Sequence, residues 1–502
     1  MTKPENGITK NGSTENVMPF WVAAIPFLIL VSLLVANAWC FADATGGPNQ
    51  IALLSSAAVA AILARLFGFS FQDAISGITA GIQAAIPALL ILLVIGALSG
   101  TWMISGIVPA MIYYGLMILD PSYFLVATVV ICAVVSLATG SSWSTIATVG
   151  IALLGIGNVL EVATAMTAGA IISGAYFGDK ISPLSDTTNL AAAMAGADIF
   201  THIRHMLWTT VPSISISLLL FAYLSQNVSD ATLYVDQASS LSDALAGKFS
   251  ITPWLFLVPL TVLVMVALKV NALASLVVGT GLGGVFAVLF QPDLLQEIAA
   301  TQNGSLEPSY FVQLYQSLMT AMGEGFSLSS DNPEMNDLIG SSGMAGMLNT
   351  LWLIISAMCF GGVMEASGML RALTRPIINA AKSDGGLIAT TAATCGFFNL
   401  TASDQYLAIV VPGRMFRQAY HDRGLAPENL SRTLEDSATV TSVLVPWNTC
   451  GAMQAGVLGV AVLTFAPYCF FNLISPLMTI IFGYLGFSVT QKKYKIDPIE
   501  AV

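Results

Sequence analysis

Charge is what this 502-residue sequence has least of: Asp, Glu, Lys and Arg make up 9% of it, against 56% hydrophobic residues. So little charge cannot cover a soluble domain, and a mean hydropathy of +0.79 excludes an ordinary soluble globule. Cysteine is sparse. Cys40, Cys132, Cys359, Cys395, Cys450 and Cys469 all lie in apolar runs without paired spacing, so they read as small core hydrophobes rather than disulfides or metal ligands. No basic and aromatic cluster suggests nucleic acid. The apolar runs contain no Ser/His/Asp set, zinc-ligand spacing or phosphate loop, so neither an enzyme nor a bound cofactor is expected. Gly279-Thr280-Gly281-Leu282-Gly283-Gly284 imitates a dinucleotide fingerprint, but no strand precedes it, and small-residue helix packing is the better account.

Long apolar runs are what the sequence has in quantity. They cover residues 18–41, 50–68, 77–100, 122–138, 145–157, 206–224, 252–269, 271–290, 344–364, 386–399 with 405–413, 438–463 and 465–488. An amphipathic piece covers 106–119, and 306–323 reads as a surface helix. Ala36-Asn37-Ala38 resembles a signal-peptidase site, but the run from Met18 to Phe41 exceeds a typical h-region. The expected class is an all-α polytopic membrane protein. Residues 162–199 stand apart: as one helix they would be roughly 57 Å long, about twice the hydrocarbon core, so they must bend or break.

That segment carries Asp179, Lys180, Ser182, Pro183, Ser185, Asp186, Thr187 and Asn189. A charge at a central helical position costs roughly 2.5–3.5 kcal/mol on insertion scales, so such residues usually face a cavity and serve a function. Pro183 cannot donate to the carbonyl of Asp179 and should leave it bare beside the carboxylate. An oxygen-rich, anionic, broken-helix site suits a small hard cation such as Na⁺. A second set lies further on: Asn399, Thr401, Ser403 and Asp404, then Glu435 and Asp436 leading to Pro446, Asn448 and Thr449. Each has a plainer reading. Lys180 can pair with Asp179 or Asp186 in a loop, Asp404 can cap a helix, and Glu435 and Asp436 can cap the 438–463 span near Arg432. His202 and His205, beside Arg204, read as interfacial anchors rather than a pH sensor, and Glu365 as an interfacial acid.

The two halves echo each other. Gly100 and Gly106 match Gly362 and Gly368 at an offset of 262, as Thr139 and Ser141 match Thr401 and Ser403; Pro183 matches Pro446 at 263. On this alignment Ser142 stands where Asp404 does. Orientation follows from Lys and Arg. The acidic loops 225–251 and 291–340 are nearly free of them, whereas Arg65, Arg204, Arg371, Arg375, Lys382, Arg414, Arg417, Arg423, Arg432, Lys492, Lys493 and Lys495 gather elsewhere. The expected organisation is a cytoplasmic tail (1–17), membrane repeat 1 (18–224), an external linker (225–251), membrane repeat 2 (252–488) with an external acidic insert (291–340), and a second cytoplasmic tail (489–502). An odd number of crossings per half, most simply five with 122–157 and 386–413 as re-entrant hairpins, gives two inverted-topology repeats.

Gly178-Asp179-Lys180-Ile181-Ser182-Pro183-Leu184-Ser185-Asp186-Thr187-Thr188-Asn189, with Ser403-Asp404-Gln405-Tyr406 and Val411-Pro412-Gly413-Arg414-Met415-Phe416, resembles the NhaC family of bacterial Na⁺/H⁺ antiporters. The resemblance implies a secondary transporter with inverted repeats and paired hairpins in a bacterial inner membrane. It implies Na⁺/H⁺ exchange, or alternatively Na⁺-coupled malate/lactate antiport. From the residues, Na⁺ and H⁺ compete for Asp179, Asp186 and Asp404, with Ser182, Thr187, Asn189, Thr401 and Ser403 completing the shell. Lys180, Thr139, Ser141, Asn399, Glu435, Asp436, Asn448 and Thr449 support it, and Pro183 and Pro446 supply the helix breaks. The expected partners are the bilayer, Na⁺ and H⁺, with a small organic acid as alternative cargo and a homodimer left open.

Overall fold

The computed structural model describes residues 18–41, 46–226, 242–303, 309–327, 340–373 and 381–491. The expected tail 1–17, most of the linker 225–251, parts of the insert 291–340, Arg375 and the lysines after residue 491 lie outside the described residues. Among the described residues the chain is almost wholly helical, apart from one antiparallel pair, Phe326–Ser327 against Gly340–Ser341.

The first half contains α1 (Phe20–Cys40), α2 (Pro48–Leu66), α3 (Phe71–Ile104), α4 (Ile107–Ile118), α5 (Phe124–Thr139), α6 (Ser142–Val159), α7 (Thr164–Ile181), α8 (Asp186–Ala195) and α9 (Ile199–Ser225). The second contains α10 (Ser242–Lys248), α11 (Pro253–Ala267), α12 (Ala272–Phe290), α13 (Pro292–Asn303), α14 (Tyr310–Gly323), α15 (Leu348–Ala366), α16 (Asp384–Thr401), α17 (Gln405–Asp422), α18 (Pro427–Leu434), α19 (Thr449–Leu458), α20 (Val462–Phe465) and α21 (Phe470–Leu485). Seven of the described helices are long and apolar enough to cross a membrane, or nine if two bent pairs each count as one span. The exposed faces of α1, α9 and α12 carry Leu, Val, Phe and Trp, as lipid contact requires.

The two halves repeat in structure as well as in sequence. The starts of α6, α7, α8 and α9 at 142, 164, 186 and 199 recur at 405, 427, 449 and 462, a constant offset of 263. Gly106 and Gly368, at an offset of 262, both have positive φ, 80° and 71°. Packing repeats too: α2 and α3 lie against α15, while α11 packs on α12 and α12 on α3. Between the halves the exchange is reciprocal, since α8 packs on α17 and α18 while α19 packs on α6.

Local chemistry sets each break. Gly140, at φ 69°, ends α5, and the Ser141 side chain caps α6 by accepting from Ser144 N–H at 3.2 Å. In the second half Ser403 takes φ 59°, and Asp404 caps α17 by accepting from Leu407 N–H at 3.0 Å. The structural counterpart of Asp404 is therefore Ser141, not Ser142: offset 263, not 262, applies at the hairpin tips. Between α7 and α8, Ser182 N–H donates to the Asp179 carbonyl at 3.1 Å and Ser185 N–H to that of Ser182 at 3.2 Å. Val445 N–H and Asn448 N–H repeat the turn on Ser442 and Val445, at 3.3 and 3.1 Å. Neither carbonyl freed by proline is bare, because the chain tightens by one residue and supplies an earlier N–H.

The second half departs from the expected spans in two places. The 438–463 span is not one helix: α18 begins at Pro427, passes through a π turn at Glu435–Thr439, and breaks before α19. Pro446 cannot continue the ladder, and Asn448 opens a new helix by accepting from Cys450 N–H at 3.0 Å. The 405–413 run continues to Asp422, because its second half is amphipathic rather than apolar. The glycine run 279–284 packs as expected: Trp102 Nε1 donates to the Gly279 carbonyl at 3.1 Å, and a side chain at Gly283 would strike Thr101 and Trp102.

Candidate functional site

The hairpin tips and helix breaks of both halves meet around one cavity of about 210 Å³. Asp179, Asp186 and Asp404 all line it, with Ser141, Trp143, Ser144, Thr187, Gln405, Tyr406 and Thr449, and a wall from Ala84 to Ile91 of α3. Among the described residues no Lys or Arg lines it. Helices α6, α8, α17 and α19 all start at this place, so four N-terminal ends, each partly positive, surround it.

Asp179 is buried in the last turn of α7. Its Oδ2 accepts from Ser142 N–H at 3.1 Å and from Ser142 Oγ at 2.7 Å, while Oδ1 is buried without a hydrogen-bond partner. Asp186 opens α8; its Oδ2 accepts from the Tyr406 hydroxyl at 2.5 Å, which ties the first-half break to the second-half hairpin. Asp404 is buried, and Thr449 Oγ1 lies 3.4 Å from its Oδ2. The three carboxylates share the cavity without closing on one point. Among the described residues, no three of His, Cys, Asp and Glu come close enough to hold one metal ion. A monovalent cation there would need hydroxyl, carbonyl or water oxygens beside one or two carboxylates.

The other expected ligands have different tasks. Ser182 Oγ donates to the Leu137 carbonyl at 2.8 Å, and Asn189 Nδ2 to the carbonyls of Pro183 at 2.9 Å and Ser185 at 2.6 Å. Thr401 Oγ1 donates to its own helix at Phe397, and Thr139 Oγ1 lies 3.4 Å from the Ser136 carbonyl. None of these four lines the cavity. Ser403 Oγ is buried without a partner, also outside the lining. Asn399 donates to the Ala438 carbonyl at 2.7 Å and accepts from Asn448 Nδ2 at 3.1 Å, pinning the hairpin tip to the second break.

Lys180 does not pair with Asp179 or Asp186. Its ammonium forms a fully buried ion pair with Asp436, donates to Ser475 Oγ at 2.9 Å, and sits 5.3 Å from the Phe471 ring centre. Thr209 Oγ1 donates to the other Asp436 oxygen at 2.8 Å. The pair joins the two halves, so it is an interior lock and not a loop contact. Glu435 and Asp436 cap nothing: both are fully buried inside the π turn. Glu435 meets hydroxyls: those of Thr188, at 3.1 Å, of Thr439 and of Thr187. His202 and His205 are buried, not interfacial; Ser431 Oγ lies 2.8 Å from His202 Nδ1, and both Nε2 atoms lack partners. Helix α9 turns its polar side inward there, which the flanking Arg204 disguises.

Sequence reasoning missed Ser142, Thr188, Tyr406, Thr209 and Ser475 as partners of the acids. Thr188 and Tyr406 stand inside the quoted motifs; Thr209 and Ser475 lie on apolar helices where single hydroxyls carry no signal.

Comparison with known proteins follows the same lines. A family model described as the Na⁺/H⁺ antiporter family matches residues 174–487. The chain is 36% identical to the Na⁺/H⁺ antiporter NhaC of Alkalihalophilus pseudofirmus over 444 residues, covering 88% of this chain and 92% of that protein. It is 34% identical to the Na⁺/H⁺ antiporter NhaC of Bacillus subtilis, covering 87% and 92%. It is also 34% identical to the malate-2H⁺/Na⁺-lactate antiporter of Bacillus subtilis, covering 91% and 94%.

Proposed function

The chain belongs to the Na⁺/H⁺ antiporter family, and from that premise we propose that it exchanges Na⁺ for H⁺ across a bacterial inner membrane by alternating access. The observation that carries the reading is the shared cavity. Three carboxylates from both halves line it, no Lys or Arg among the described residues lines it with them, and Asp179 Oδ1 has no hydrogen-bond partner. Such a pocket attracts a small cation, and protonation of a buried carboxyl at or beside it weakens that attraction, so Na⁺ and H⁺ exclude one another.

The roles then divide by position. Asp179 is the principal ligand, fixed by Ser142; Asp186 and Asp404 adjust the charge of the pocket, with Ser141, Thr187 and Thr449 as neutral oxygens. The two halves are inverted relative to each other, with both termini cytoplasmic, and rocking of one half against the other exposes the cavity to either side. Everted vesicles test this. Na⁺ added outside vesicles holding a proton gradient should collapse that gradient through the wild type and not through Asp179→Asn.

A second reading has one observation in its favour. Four helix N-termini surround the cavity, which suits a carboxylate, and one relative is a malate-2H⁺/Na⁺-lactate antiporter. Uptake of labelled lactate or malate under an imposed Na⁺ gradient separates the readings; Na⁺/H⁺ exchange without such uptake retains the first.

A further inference from the structure

Glu435 is a buried acid outside the cavity lining, and hydroxyls rather than a paired cation face its carboxyl. It is fully buried, and among the described residues it forms no salt bridge. The nearest ammonium, that of Lys180, is taken by Asp436. Without a paired cation, burial penalises the charged form of the carboxyl. The Thr188 hydroxyl has one proton and three acceptors around it: the Lys180 carbonyl at 3.0 Å, Glu435 Oε1 at 3.1 Å and the Asp179 carbonyl at 3.4 Å. If Glu435 carries a proton, the chain closes. Glu435 Oε1–H donates to Thr188 Oγ1, Thr188 donates to the Lys180 carbonyl, and Thr439 donates to Glu435 Oε2.

We propose that Glu435 is the proton-carrying carboxyl of the exchange cycle, joined through the Thr188 hydroxyl to the helix break whose Asp179 holds Na⁺. The inference rests on the Na⁺/H⁺ reading above and names the proton site within it. When Glu435 releases its proton to water, Thr188 turns its single hydrogen from the Lys180 carbonyl to the new carboxylate. That frees a carbonyl oxygen one residue from Asp179, and a negative charge appears near the cavity. Both changes favour Na⁺, and Na⁺ departure reverses them. The charged groups facing Glu435 are Asp179 and Lys180 of α7. Proton and sodium thus occupy separate but linked places, not one place in turns.

Calorimetric Na⁺ titration of the purified protein, in buffers of different ionisation enthalpy, gives the protons released per Na⁺ bound. Glu435→Gln should still bind Na⁺, with affinity reduced, and release about one proton fewer than the wild type. Unchanged proton release would overturn the proposal, and so would loss of all Na⁺ binding in a Glu435→Gln protein that melts like the wild type, since Glu435 would then be a sodium ligand. A measurement on the wild type avoids any folding defect. In Na⁺-induced infrared difference spectra, the protonated-carboxyl band lost on Na⁺ addition should shift with ¹³C-glutamate and not with ¹³C-aspartate; the opposite pattern overturns it. Absence of Na⁺ binding by the wild type would instead reject the Na⁺/H⁺ reading.

Discussion

Ser142 holds the Asp179 carboxylate, and the two can be separated by mutation. Ser142 gives it a backbone and a side-chain hydrogen bond. Ser142→Ala removes one and keeps the other, a loss of about 1–2 kcal/mol of carboxylate positioning. The apparent Km for Na⁺ should rise about five- to thirtyfold with Vmax largely kept, whereas Asp179→Asn should abolish exchange; proteoliposome flux measures both. Competition also sets the pH response. Protons fill the carboxylates as pH falls, so the apparent Km for Na⁺ should increase toward acid, up to about tenfold per pH unit per competing proton. A Km flat across pH would mean that the two ions do not share charge in the pocket. The acids themselves were legible in the sequence because a charge in an apolar run is costly enough to demand a reason. Their partners were not: Lys180 and Asp436 are 256 positions apart, and the packing of α21 against both α7 and the π turn brings them together.

The paired hairpins depend on close approach at their tips. A side chain at Gly140 would meet the Leu184 Cβ at 2.6 Å and the Ser185 nitrogen at 2.9 Å, in a backbone conformation with φ 69°. Gly140→Ala should therefore cost more than the roughly 1–2 kcal/mol of the left-handed conformation alone, because the obstructing atoms belong to the α7–α8 break. Thermal unfolding in detergent should show a clear drop, with Gly396→Ala as the control, since nothing lies within 4 Å of that position and its φ is ordinary. Element existence was readable for the same reason that these tips are fragile. Apolar runs interrupted by Gly-Ser or Ser-Pro can only be short helices meeting at depth. What the pattern did not contain was the exit from each break. The N-cap serine or aspartate and the tightened turn decide where the next helix starts, and these moved the hairpin alignment by one residue and divided the 438–463 span.

At the scale of the molecule, the packing of α8 on α17 and α18, and of α19 on α6, is what a two-fold axis relating the halves would produce, and an axis in the membrane plane would invert them. The loops after α6 and α17 then become a direct test. Helix α6 ends at Val159 and α17 at Asp422, again 263 residues apart, and Glu161 and Gly424 continue the match with φ of 51° and 69°. If the repeats are inverted, these equivalent loops lie on opposite sides of the membrane. From the Lys and Arg distribution we propose that Arg414, Arg417 and Arg423, and hence Asp422, lie in the cytoplasm, and so Glu161 outside. Cys40 is the exposed native thiol among the described residues, so a Cys40→Ser background suits labelling. In that background Glu161→Cys should react with a membrane-impermeant maleimide on intact cells, and Asp422→Cys only after permeabilisation. Labelling of both from one side would make the repeats parallel, and a cavity shared by parallel halves would lose the symmetry that lets one rocking motion open it first outward and then inward.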